Sequence, residues 1–246
     1  MVNGLKDLVR NSSNFGPHIH KLFPGQCVLC NCVSQPLLDM CQPCEMSLPD
    51  IGHHCQTCAL PISDALDTHC GVCLQSLPPY SRTEACWIYE APVAQLIAGY
   101  KYHRRLSYGI TLAKIASIKF ASAYIQTKKP DFITATPLHW KRHLYRGFNQ
   151  CDVLTQYFSQ QLQVPIFTHI KRSKPTKKQL LLPAEERQVN LKDVFSIGKS
   201  DAIAGKLIAV VDDVMTTGAT AKSISQTFLD AGAREVHILV LARTPR

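Results

Sequence analysis

The segment Lys206–Thr220, KLIAVVDDVMTTGAT, constrains this chain more than any other stretch. An apolar, β-branched run ends in two adjacent aspartates, and a short Thr/Gly loop then opens a helix. A continuous hydrophobic run reads as a strand buried in a parallel sheet. The carboxyl end of such a strand is where open α/β sheets place their ligands. Beyond it, Thr216, Thr217, Gly218, Ala219 and Thr220 offer hydroxyls and successive backbone N–H groups at a helix N-terminus, an anion cradle. Asp212 and Asp213 are read as ligand-facing acceptors for vicinal hydroxyls. Carboxylates for a ribose diol beside a cradle for its phosphate describe a sugar-phosphate site. The order acid-acid-apolar-apolar-Thr-Thr-Gly-x-Thr is far more specific than a lone glycine motif, and an ordinary strand–turn–helix accounts for it poorly.

Cysteine spacing supplies the second constraint. The pairs Cys27/Cys30, Cys41/Cys44, Cys55/Cys58 and Cys70/Cys73 are separated by ten, ten and eleven residues. Two thiolates three positions apart grip one metal from a tight knuckle, and two knuckles complete a tetrahedron. The spacing predicts two successive zinc ribbons, with Cys27, Cys30, Cys41 and Cys44 on one structural Zn²⁺ and Cys55, Cys58, Cys70 and Cys73 on the other. An interleaved pairing, first with third and second with fourth, stays open. Cys32, Cys86 and Cys151 fall outside the pattern and read as ordinary buried thiols. His53 and His54 read as loop residues that can substitute as ligands.

Charge divides the chain unevenly. Between Cys27 and Cys73 there is no Lys or Arg, against five acids (Asp39, Glu45, Asp50, Asp64 and Asp67). From Leu74 onward there are 24 basic and 12 acidic residues. A basic domain calls for polyanionic partners, whether a small molecule's phosphates or nucleic acid. Thiolate–zinc sites make the cysteine region still more negative, so it is expected to repel nucleic acid and to be structural. No apolar run approaches the roughly 20 residues a bilayer span needs, so membrane insertion is not expected. The opening residues lack a secretory apolar core. With eleven cysteines arranged for metal rather than disulfides, a cytoplasmic protein is expected.

Asp131–Thr136 reads as a second parallel strand. After it come Lys141, Arg142 and Arg146, then Gly147–Gln150 and a helix to about Leu162. A loop that follows a parallel strand faces the same sheet edge as Asp212 and Asp213. Val93, Leu96, Ile97 and Tyr100 recur at helical spacing ahead of Lys101, His103, Arg104 and Arg105. Tyr100 and Tyr102 among these cations are candidates for base stacking or for ordinary core packing. Arg172–Asn190, basic and Pro-interrupted with an apolar Leu180–Leu182, has the composition of a flap.

The Lys206–Thr220 segment resembles the phosphoribosyl-pyrophosphate signature of type I phosphoribosyltransferases. The rest of the chain is similar to the ComF family of double-zinc-ribbon proteins linked to DNA uptake, which includes the GntX-type proteins. The likeness runs from Cys27 to Arg243 and rests on the four CxxC pairs, Tyr89–Arg105, Pro137–Gln150, Gln179–Phe195 and the signature itself. It implies an α/β fold, a type I phosphoribosyltransferase-like parallel sheet flanked by helices, with a small N-terminal double zinc ribbon. The expected domains are an extension over 1–26, the ribbons over 27–78 and the phosphoribosyltransferase-like domain over 79–246.

By the same resemblance Thr136–Arg142 matches a pyrophosphate loop in place and charge, so Lys141, Arg142 and Arg146 are expected to bind substrate. Tyr89–Arg105 and Arg172–Asn190 resemble hood segments, and Arg187 and Asn190 match a ComF pattern. Three functions remain open. One is a binder of phosphoribosyl pyrophosphate that holds single-stranded DNA beside DNA-uptake proteins. Another is an active transferase that displaces pyrophosphate with a nitrogen acceptor. There Asp212 and Asp213 would be catalytic, Thr216–Thr220 would anchor the 5′-phosphate, and Mg²⁺ would accompany the pyrophosphate. A sensor of phosphoribosyl pyrophosphate is a third reading. No base-recognition motif decides between them.

Overall fold

The computed structural model describes residues 25–64, 66–138, 147–172, 194–198 and 200–245. The chain divides into two compact units between Leu48 and Pro49. The division falls between the two cysteine quartets, both of which the sequence reading places in 27–78.

The first unit is organised by a knuckle. The Cys27 N–H donates to the Cys32 carbonyl at 2.7 Å and the Asn31 N–H to the Cys27 carbonyl at 3.0 Å. Asn31 closes this turn at φ 60°, a left-handed conformation that a short polar side chain tolerates. Helix α1, Gln42–Met46, starts directly after Cys41 and carries Pro43 in its first turn, where no intrahelical N–H is needed.

The second unit begins with a matching knuckle and helix α2, Gly71–Gln75, and continues through β1, Arg82–Ile88, to α3, Val93–Tyr102, and α4, Leu106–Ala123. After β2, Phe132–Ala135, come α5, Gln150–Leu162, and a small antiparallel pair made of β3, Ile170–Arg172, and β4, Phe195–Ile197. The chain closes with β5, Leu207–Met215, α6, Ala219–Asp230, and β6, Glu235–Arg243. Four strands form a parallel sheet in the order β1-β6-β5-β2. A bridge from Ile166 to Ile133 carries the sheet one step beyond β2.

Burial explains the order. Leu207–Val211 are all buried, and so is every residue of β6 after Glu235. Successive side chains alternate faces, so such runs need cover on both sides, which suits the two central positions. Ala221, Ile224 and Phe228 of α6 share one core with Ile208, Val210, Ile238 and Val240. α4 and α5 pack against each other through Phe120 and Phe158, set edge to face at 4.9 Å between centroids. Among the described residues no helix is long and apolar enough to cross a membrane.

Candidate functional site

β5 delivers both aspartates to the carboxyl end of the sheet. Its neighbour β2 ends at the same edge, where the Thr136 N–H donates to the Val211 carbonyl at 2.8 Å. Alternation then separates the roles of the two acids. Asp213 is 4% exposed. Lys101 of α3 reaches its Oδ1 at 2.6 Å, and Gln150 Nε2, at the start of α5, donates to Oδ2 at 2.8 Å. Asp212 is half-buried; its Oδ1 accepts from the Asp213 N–H at 2.9 Å and faces the Cys151 thiol at 3.5 Å.

These surroundings set the charge states. Burial, and then the charge of Asp213, push the Asp212 carboxyl up to about 7. Burial works against the Lys101 ammonium, but the Asp213 carboxylate overrides it and holds the group above the usual lysine range. Burial likewise raises the Cys151 thiol well above its ordinary value, so Cys151 serves as a weak neutral donor. Gln150 Oε1 and Thr136 Oγ1 are buried beside these groups without a hydrogen-bond partner. Such atoms are uncommon in a finished core, and a hydroxyl-rich ligand or water can satisfy them.

The signature loop follows at once. Met215 is buried, Thr216 and Thr217 are exposed, and Gly218 caps α6 at φ 77°. The positive φ favours glycine, and a Cβ on Gly218 would also crowd Tyr80 Oη at 3.1 Å and Met215 Cε at 3.2 Å. Thr217 Oγ1 accepts from the Ala219 N–H at 3.4 Å. Ala219 and Thr220 form the first turn of α6 and are half-buried. Helices leave these first N–H groups without intrahelical acceptors, and the macrodipole favours an anion there.

The cysteines form two quartets. Cys27, Cys30, Cys41 and Cys44 lie together in the first unit, and Cys55, Cys58, Cys70 and Cys73 in the second, with the sulfurs of each quartet within 4.8 Å of one another. The sequential grouping is therefore the one the structure adopts. Cys30 to Cys41 and Cys58 to Cys70 are each 3.6 Å between sulfurs. A zinc tetrahedron with Zn–S bonds of ≈ 2.3 Å has edges of about 3.8 Å, so both quartets fit the metal.

No family model matches the chain. The DNA utilization protein YhgH of Escherichia coli is 34% identical over 230 residues, spanning 90% of this chain and 98% of that protein. Competence protein F of Haemophilus influenzae is 32% identical over 229 residues with the same coverage of 90% and 98%. The chain belongs to the ComF family. Competence protein ComFC of Bacillus subtilis is a more distant relative, 24% identical over 95% of this chain and all of that one. Among solved structures, a purine phosphoribosyltransferase from Pyrococcus horikoshii aligns with TM-score 0.36 and 20% identity over 54% of this chain and 73% of that one.

Several ComF residues differ from their sequence reading. Asp213, read as ligand-facing, is paired with Lys101 and Gln150. Lys101 is ion-paired inside the site instead of joining the exposed cations His103, Arg104 and Arg105. Tyr100 is fully buried and donates to the Gln150 carbonyl at 2.8 Å, so it belongs to the core and stacks no base. Cys86 and Cys151 are buried as expected, but Cys32 is exposed. His53 and His54 bond to the carbonyls of Asp67 and Gly52, as loop residues do. Lys141, Arg142 and Arg146 lie outside the described residues, as do Lys174, Lys177, Lys178, Arg187 and Asn190. Gln150 escaped sequence reasoning because a glutamine carries no signal of its own; its place directly after the Asn149 helix cap is the nearest hint.

Proposed function

We propose that this ComF-family chain binds phosphoribosyl pyrophosphate at Asp212–Thr220 and acts in DNA utilization by holding single-stranded DNA on its basic surface, in the cytoplasm. One observation carries the first half. Asp212, the unpartnered Gln150 Oε1 and Thr136 Oγ1, and the Gly218-capped start of α6 converge on the carboxyl edge of β5. Asp212 would accept from the ribose hydroxyls, and the first-turn N–H groups of α6 would hold the 5′-phosphate. Lys141, Arg142 and Arg146 would face the pyrophosphate, and Mg²⁺, an oxygen-seeking cation, would enter with it.

DNA binding is supported by the names of the relatives and by charge. His103, Arg104, Arg105 and Lys171 are exposed on the second unit, and the tract 141–178 adds further cations. The acidic cysteine quartets are the wrong partners for phosphate, and their place is structural. Calorimetric titration with phosphoribosyl pyrophosphate and Mg²⁺, set beside salt-dependent binding of an oligonucleotide, tests both halves. No heat in the first and no salt-dependent complex in the second would refute the proposal. Release of pyrophosphate in the presence of a base or amine would make the same site catalytic.

A further inference from the structure

β6 ends on Arg243, which is 2% exposed. A guanidinium stays charged at any physiological pH, and burying it costs several kcal/mol unless charge or hydrogen bonds compensate. Among the described residues no carboxylate pairs with it. Its donors go instead to four backbone carbonyls. Nε reaches Cys58 O at 2.9 Å, and Nη1 reaches Met215 O at 3.0 Å, Thr244 O at 2.7 Å and also Thr216 O. Cys58 is one of the second metal quartet. Met215 and Thr216 lead into the anion cradle. One planar fork thus ties a metal knuckle to the loop that would hold a phosphate.

The same two elements meet at a narrow cleft of about 30 Å³, lined among others by Cys58, Cys73, Tyr80, Thr217, Lys222 and Arg243. Tyr80 is 3% exposed, and its Oη abuts Gly218. Four thiolates around Zn²⁺ carry a net charge of about −2. That is the counter-charge a buried guanidinium otherwise lacks here. With metal bound, the Cys58 carbonyl is pinned and the charge of Arg243 is balanced. With metal removed, nothing fixes the knuckle that carries the Cys58 carbonyl, and the fork of Arg243 loses its anchor on that side.

We propose that zinc at Cys55, Cys58, Cys70 and Cys73 sets the conformation of the Thr216–Thr220 cradle through Arg243, so that metal occupancy governs anion affinity at the site. Arg243 is a positioning residue and touches no ligand. The identity of the anion rests on the phosphoribosyl pyrophosphate reading; the metal-to-loop coupling does not. Coupling between two sites is reciprocal: whatever zinc does for the anion, the anion must do for zinc.

The experiment uses the full-length zinc-loaded protein. A zinc-selective chelator is titrated with and without saturating phosphoribosyl pyrophosphate and Mg²⁺, while amide exchange is followed at 216–221 and, as an internal control, at 208–211. Coupling predicts that the ligand raises the affinity of one of two zinc ions about tenfold, and that Arg243→Lys, which keeps the charge but loses the fork, abolishes this gain while retaining two zinc ions. It also predicts faster exchange at 216–221 in Arg243→Lys without ligand, with 208–211 unchanged. If the ligand binds but leaves zinc affinity unchanged, or exchange at 216–221 in Arg243→Lys equals the wild type, the coupling is refuted. If calorimetry shows no binding of phosphoribosyl pyrophosphate, the functional reading fails, and the exchange comparison alone decides the coupling.

Discussion

Lys101 Nζ lies 2.6 Å from Asp213 Oδ1, joining the end of α3 to the centre of the sheet. Both side chains are largely out of water, at 15% and 6% exposure. A pair of this kind contributes little net stability over an apolar pair, yet removing one partner strands a buried charge. Asp213→Asn should therefore cost about 3–5 kcal/mol in urea unfolding. The double variant Lys101→Met/Asp213→Asn should recover much of that loss. Equal stability of wild type and Asp213→Asn would show that the pair is not formed in solution.

On the proposed reading, Asp212 should make ligand binding depend on pH. Its carboxyl is raised from 3.8 to about 7, so between these values the folded state holds a proton that the unfolded chain has released. Stability from this group is therefore present at low pH and lost as pH rises toward 7. An ionised carboxylate accepts from hydroxyls more strongly than a neutral one, so affinity for phosphoribosyl pyrophosphate should strengthen from pH 6 to 8. Asp212→Asn should flatten both slopes relative to wild type, which removes the ligand's own titration from the comparison. Parallel pH profiles for the two proteins would assign the effect to the ligand alone.

The two quartets should differ in what they hold up. Metal analysis is expected to find two zinc ions per chain. Cys55, Cys58, Cys70 and Cys73 belong to the same buried core as Ile208, Val210 and Phe228, so Cys55→Ser should destabilise the sheet unit by several kcal/mol. Cys30→Ser disturbs the separate compact unit that ends at Leu48 and should leave unfolding of the sheet unit within about 0.5 kcal/mol of wild type.

DNA binding should follow the cations of the second unit. Removing one phosphate-neutralising cation lowers the salt slope by about 0.7 on a single strand. Alanine at Lys141, Arg142 and Arg146 together should weaken binding across all sequences and flatten its salt dependence. The same variant should bind phosphoribosyl pyrophosphate less well, so the two ligands should compete. An isolated segment 1–75 that matched the full chain in affinity would move the nucleic-acid surface to the cysteine ribbons.

What the sequence determined by itself was everything encoded locally. The unbroken run Leu207–Val211 can only be a doubly covered strand. The Thr/Gly stretch 216–220 marks a loop that opens a helix, and four even CxxC pairs announce two tetrahedral sites. Asp131–Thr136 and the helix to Leu162 were legible for the same reason, since period and capping are written in neighbouring residues. Tertiary structure decided what depends on contacts distant in sequence. The two adjacent aspartates part company because alternation along β5 turns one toward Lys101 and Gln150, residues 112 and 63 positions away. Tyr100 is core rather than stacking platform because the fold lays its ring against Gly109 of α4 and its hydroxyl on the Gln150 carbonyl. Nothing in the sequence around Arg243 announces its role, because 185 positions separate it from the Cys58 carbonyl it grips. Local composition cannot reveal such a partner, because a buried charge is tolerated only where the fold brings compensating dipoles to it.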